Sequence, residues 1–206
     1  TPGVVSRNNT TLNNKTDDAG MKAYYALLSQ AEGVDSISQF NHPGTTFGNF
    51  SDFSYWDPVI DSRMYMVEVG NGEGQIGAGG YYPSYEQYIM ALDKGWHLAP
   101  TNNQDNHKGR WGNANDARDV ILTDNFTEEG IYEAIRALRM YATEDKNLEL
   151  GYTVNGQMMG SSITEVPEKL DLEVTVNDPD KSDSISKVEV VVNSGKVVHT
   201  LSLIHI

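Results

Sequence analysis

The chain has 206 residues, 38% hydrophobic and 21% charged, with 29 acidic against 15 basic side chains and a formal net charge of −14. That length suits one large domain, or one domain and part of a second. The acidic balance excludes a nucleic-acid backbone as partner, and no run of about 18 apolar residues offers a transmembrane helix. Cysteine is absent, which excludes disulfides and thiolate-bound zinc.

Residues 1–18 are rich in Asn and Thr and read as loop. Over 19–32, "AGMKAYYALLSQAE" sets Met21, Tyr24, Tyr25, Leu28 and Ala31 at helical spacing, and Gly33 follows as a stop. "ISQFNHPG" is a short strand ending in a Pro-Gly turn, and 45–58 is an aromatic, Gly-rich loop. "MYMVEVGNG", 64–72, reads as a buried strand broken by glycines. Residues 84–95 form an amphipathic helix with Gly95 at its end. "WHLAPTNNQDNH" is a strand running into a loop, and "VILTD" is a further strand. "TEEGIYEAIRALRMYAT", 127–143, is a helix with Thr127 as N-cap, acidic residues in the first turn, and Arg136 and Arg139 later.

Helix and strand thus alternate over 19–143, which predicts a parallel α/β sheet or barrel. In such folds sites gather at the carboxyl ends of strands. "NHPG", "VEVGNG" and "NNQDNH" all lie at such ends. From about residue 150 the period changes to two, with Val-rich strands between turns, which predicts an immunoglobulin-like sandwich module, cut short. The expected units are therefore 1–149 and 150–206. The chain starts without Met and stops at "LSLIHI", which resembles translated adapter sequence. A fragment cut at both ends is expected, and its last six residues receive no functional weight.

Of five histidines, His42 sits in "FNHPG", where Pro43 and Gly44 turn the chain directly after the imidazole. Asp105 and His107 stand at i and i+2, a spacing that aims both side chains the same way only on extended backbone. His, Asp and His together suit Zn, Mn or Fe. Lys108 and Arg110 follow directly, either to neutralise substrate phosphate oxygens or to balance nearby acids. Trp111 either stacks on a substrate ring or caps the loop, and Asn102, Asn103 and Gln104 are placed to orient ligands. His97 belongs to no motif and reads as packing or surface. The Gly-rich stretch 70–88 lacks a phosphate-loop Lys. It reads as a rim loop, with Tyr81, Tyr82 and Tyr85 as substrate contacts or as packed aromatics. "NDPDKSD" holds Asp178, Asp180 and Asp183 but lacks the glycine and distal glutamate of a calcium loop, so it reads as a hairpin turn.

"FNHPG", "MVEVGNG", "LDKGWHLAPTNNQDNHKGRWG" and "LTDNFTEEGIYEAIRALRMYAT", in that order, closely resemble the polymerase-and-histidinol-phosphatase (PHP) superfamily of metal-dependent phosphoesterases, in its CehA/McbA-type branch. "NHP" corresponds to that superfamily's third motif and D-x-H to its fourth. The resemblance implies the C-terminal portion of a distorted (β/α)7 barrel that binds two or three divalent metals. It implies His42, Asp105 and His107 as metal ligands, with Glu68 at the end of "VEV" as a further candidate. It implies hydrolysis of a small-molecule phosphate ester by metal-activated water, with Asp105, His107, Lys108 and Arg110 carrying the chemistry. The superfamily's H-x-H and second-motif histidine do not occur in these residues. The chain is therefore expected to hold half of the metal site and to be inactive alone, or else to be a degenerate member. Two alternatives stay open: hydrolysis of a carbamate or amide, and a non-catalytic metal- or carbohydrate-binding barrel. Appended β modules of this kind accompany exported bacterial proteins, which points to a periplasmic or extracellular location.

Overall fold

The structure, a computed structural model, describes residues 18–30, 34–44, 46 and 48–202. Nearly all of the loop expected over 1–18, the Gly33 stop and residues 203–206 of the tail lie outside the described residues.

Helix α1 (Asp18–Leu28) carries Met21, Tyr25 and Leu28 on one stripe, and all three are buried. That stripe meets Phe40 of β1 (Ser38–Phe40), Phe53, Ile60 of the short helix α2 (Pro58–Asp61), and Met64 and Val67 of β2 (Met64–Asn71). Ala91 of α3 (Tyr85–Asp93) and Trp96, just before β4 (Ala99–Asn103), close the core. The rings meet edge to face: Phe40 lies 5.1 Å from Phe53 at 82° and 5.2 Å from Trp96 at 88°, the arrangement their quadrupoles favour. Trp96 Nε1 donates to the Phe53 carbonyl at 2.9 Å, so the buried indole N–H is satisfied. Asp57 starts α2 by accepting from the Val59 and Ile60 N–H groups, with Pro58 at the first helical position.

β1 and β4 both run parallel to β2, and β3 (Tyr82–Pro83) returns antiparallel onto its last two residues. Only this three-strand parallel unit matches the expected α/β arrangement. The next strands, β5 (Arg118–Ile121) and β6 (Met140–Thr143), pair antiparallel with each other around helix α4 (Glu128–Arg136) in a separate sheet. The barrel expectation is therefore wrong: among the described residues the strands form four small sheets and none closes. One physical reason lies at β4. The Asn102 N–H, which would continue the ladder, donates instead to the Asp119 Oδ1 at 2.5 Å, and Asn102 Nδ2 reaches the Thr143 carbonyl at 3.2 Å. Side chains thus join β4 to β5 and β6 where a barrel would need backbone pairing.

Helix α4 begins as expected, with Thr127 Oγ1 accepting from the Gly130 N–H at 3.2 Å. It ends earlier than the sequence pattern suggests. Leu138 adopts a left-handed backbone (φ 55°), Leu138 N–H bonds to Ile135 O, and Arg139 N–H bonds to Ala134 O. This is a Schellman closure with Leu in the usual glycine place, and "MYAT" leaves it as β6.

The C-terminal part forms a three-stranded sheet, β7 (Glu149–Val154), β8 (Gln157–Met158) and β9 (Leu172–Asn177), and a separate hairpin, β10 (Lys187–Val192) with β11 (Lys196–Ser202). β11 is exposed along its whole length, so no second layer covers it and the sandwich expectation is corrected as well. The hairpin turn rests on α3, with the Ser194 N–H donating to the Asp93 Oδ1 at 3.0 Å.

Candidate functional site

The carboxyl ends of β1, β2 and β4 lie side by side, with Phe40 opposite Val67 and Glu68 opposite Thr101. Glu68 stands at their centre and is only 3% exposed. Its Oε1 accepts from Asn103 Nδ2 at 2.8 Å and Gln39 Nε2 at 3.5 Å, and its Oε2 accepts from Asn71 Nδ2 at 3.1 Å and from the His42 backbone N–H. One carboxylate thus ties together all three strand ends. Burial pushes its carboxyl up to about 7; bonds from Asn103, His42 and Asn71 oppose the rise, and the nearby charge of Asp105 adds to it.

His42 follows β1 with a left-handed backbone (φ 37°), and Asp105 follows β4 with another (φ 44°). Non-glycine residues in this region are uncommon and persist where surrounding bonds hold them. At His42 the bond to Glu68 is such a constraint. The extended Asp-x-His geometry expected from the spacing does not occur, because Asp105 turns the chain. His107 bends back so that its Nδ1 lies 2.6 Å from the Asp105 carbonyl and 3.7 Å from its Oδ1. A carbonyl only accepts, so Nδ1 carries the proton and Nε2 keeps a lone pair. The His107 ring is largely exposed and the Asp105 side chain is half-exposed.

Lys108 and Arg110 are turned toward Glu73 in the loop after β2. Lys108 Nζ lies 2.7 Å from its Oε1 and Arg110 Nη2 3.4 Å from its Oε2. Asn106 Nδ2 donates to the same Oε2 at 2.9 Å, while Asn106 Oδ1 accepts the Lys108 and Arg110 N–H groups. The Lys108 bond, ahead of Arg110, holds the Glu73 carboxyl below its ordinary range. Glu73 therefore clips the 104–112 loop to the β2 loop. It was not singled out by sequence reasoning, and its only signal there is its place among glycines in "GNGEG".

Asn103 Nδ2 donates to Glu68 Oε1. Asn102 instead donates to Tyr81 Oη at 2.9 Å, and Gln104 binds carbonyls within its own loop. Tyr81 is buried, and its hydroxyl donates to Glu144 Oε1 at 2.8 Å. Burial first, and then Glu144, raises its pKa above the ordinary phenol range. Tyr82, Tyr85 and Trp111 are exposed, Trp111 at 83%. His97 lies at the opposite end of the sheet, against Asp61.

Among the described residues, the group of three acids or histidines whose ligand atoms lie within 4.8 Å of one another is Asp145, Asp178 and Asp183. His42, Glu68, Asp105 and His107 are not drawn that close. The acidic trio joins the "NDPDKSD" turn to the end of β6, and such exposed acidic groups are common without an ion. The donor types suit a divalent cation: the charge of Asp105 reaches the buried Glu68 carboxyl, and the His107 imidazole is set to offer Nε2. The chain matches no family model, no curated protein and no solved structure.

Proposed function

We propose that this chain forms part of a divalent-metal-dependent hydrolase acting on a small-molecule phosphate ester, with His42, Asp105 and His107 as its metal ligands. The observation that carries this reading is the buried Glu68, facing Asp105 where three parallel strands end. The charge of Asp105 acts on the buried Glu68, and a cation bound by Asp105 offsets it. All four of Glu68's acceptor positions are occupied by protein donors, so it fixes the positions of His42 and Asn103 and need not bind metal itself. Bound there, a divalent metal supplies Lewis acidity and an acidified water. Lys108 and Arg110 lie on the same loop, and a substrate phosphate competes with Glu73 for their N–H donors.

The first test reads metal alone, because metal content reports on His42, Asp105 and His107 without requiring turnover. The purified chain is dialysed against Zn, Mn or Fe(II) and its metal content is measured. Bound metal should fall in Asp105→Ala and in His107→Ala without loss of folded protein. Full retention in both variants overturns the ligand assignment. Phosphate esters tested beside amides and carbamates then separate phosphoester hydrolysis from the alternative metal-dependent hydrolysis.

A further inference from the structure

We propose that a second site lies at the opposite end of the parallel sheet, where His97 and Arg136 bind a small oxyanion such as a phosphate monoester or carboxylate. A hollow of about 310 Å³ opens there. Asp61 closes α2 and His97 stands just before β4, 36 residues later. One carboxylate takes two of that histidine's polar groups: Asp61 Oδ1 accepts the His97 backbone N–H at 2.9 Å, and Oδ2 lies 2.7 Å from Nδ1. Facing a carboxylate, Nδ1 carries the proton. The ring is therefore fixed and Nε2 points away from Asp61. No group among the described residues bonds to Nε2, and the ring is 60% exposed.

Arg136 lines the same hollow from the last turn of α4. One of its N–H groups donates to the Asp35 carbonyl at 3.0 Å. It makes no ion pair among the described residues, whereas Arg139, three residues on, is held by Glu133 at 2.7 Å. In a chain of net charge −14, a cation left without a carboxylate beside an oriented imidazole marks a place for an external anion. The end of α4 ordinarily disfavours anions, because helix carbonyls point outward there. Here three of them are engaged: Glu133 O by Ala137 N–H, Ala134 O by Arg139 N–H, and Ile135 O by Leu138 N–H.

The wall is held rigidly. Leu138 is left-handed, and Gly160 (φ +90°) packs so closely that a Cβ there would lie 2.4 Å from Leu138 O. Strain maintained at a pocket wall is found where geometry serves a ligand. The charged groups facing His97 are Asp61 from α2 and Arg136 from α4; Tyr65 of β2 and Ser162 add hydroxyls. The anion is held by the free edge of the Arg136 guanidinium, with the His97 ring, fixed by Asp61, turning Nε2 away from that carboxylate beside it.

The test follows the histidine ring signals by NMR, with EDTA present so that the metal site is silent. His97 is assigned by the signal lost in His97→Gln. Sodium phosphate and sodium acetate are each titrated against sodium chloride at equal ionic strength. The His97 signal should move saturably with phosphate, and Arg136→Gln should weaken that response about tenfold, with Arg136→Lys partly restoring it. Acetate acting equally extends the ligand class to carboxylates; no response to acetate confines it to phosphate. The proposal is overturned if phosphate moves His97 no more than chloride does, or if Arg136→Gln binds as tightly as the parent. A shift confined to His42 or His107 overturns it too, and leaves the metal reading standing.

Discussion

Replacing Glu68 with Gln gives a signed and measurable consequence. The free carboxyl titrates near 4.5, and in the folded chain burial pushes Glu68 up to about 7. Between these values the unfolded chain has lost the proton while the folded chain still holds it. The folded state binds more protons there, so stability must fall as pH rises through this window. One pH unit of difference corresponds to about 1.36 kcal/mol, so the whole window amounts to roughly 3 kcal/mol. Glu68 is nearly inaccessible, so solvent screening removes little of this. Urea denaturation of the parent and of Glu68→Gln, in chelator, from about pH 4.5 to 8.5, isolates the effect. The parent's advantage over the variant should shrink by roughly 3 kcal/mol up to about pH 7 and stay level above it. Added Zn or Mn should flatten the parent's curve, since the cation favours the carboxylate. The carboxyl carbon shift of Glu68 reports the same titration without a variant. Parallel stability curves in chelator, with that carbon titrating near 4.5, would falsify the reasoning.

Trp96→Phe removes the donor to Phe53 O and part of a ring from the core, so a loss of about 2–3 kcal/mol in urea denaturation is expected. A loss under about 0.5 kcal/mol would mean that this core is looser than its ring contacts imply. Gly160→Ala sets a Cβ 2.4 Å from Leu138 O and 2.7 Å from Ala137 O at φ +90°. A destabilisation of at least about 1–2 kcal/mol should follow, and an unchanged midpoint would refute the close approach. Glu73→Ala frees Lys108, Arg110 and Asn106 together. Trypsin should then cut after Lys108 and Arg110 several-fold faster, with thermal unfolding little changed; equal cleavage rates would show that Glu73 does not clip this loop.

Local order was legible where it depends on neighbours in the chain. The Met21, Tyr25 and Leu28 stripe, the Thr127 cap and the β2 strand all follow from periodicity and capping chemistry. Partner choice was not legible. Whether β5 and β6 join a parallel sheet or pair with each other depends on which groups take the β4 backbone donors. The residue that takes the Asn102 N–H is Asp119, 17 positions away. Leu138 hid the end of α4 because a left-handed turn is ordinarily marked by glycine or asparagine, and leucine carries no such mark. The candidate site shows the same division. "NHP" and D-x-H single out His42, Asp105 and His107, and Glu68 was named only as a further ligand candidate; that it gathers donors from three strand ends shows only once those ends meet. His97 was set aside as surface for want of a motif. Its ring is fixed by Asp61, 36 residues earlier, in a hollow that Arg136 of another helix also lines. In this chain a side chain's chemistry is set less by its sequence neighbours than by which distant group takes its hydrogen bond. A histidine outside every motif can therefore be better oriented than one inside.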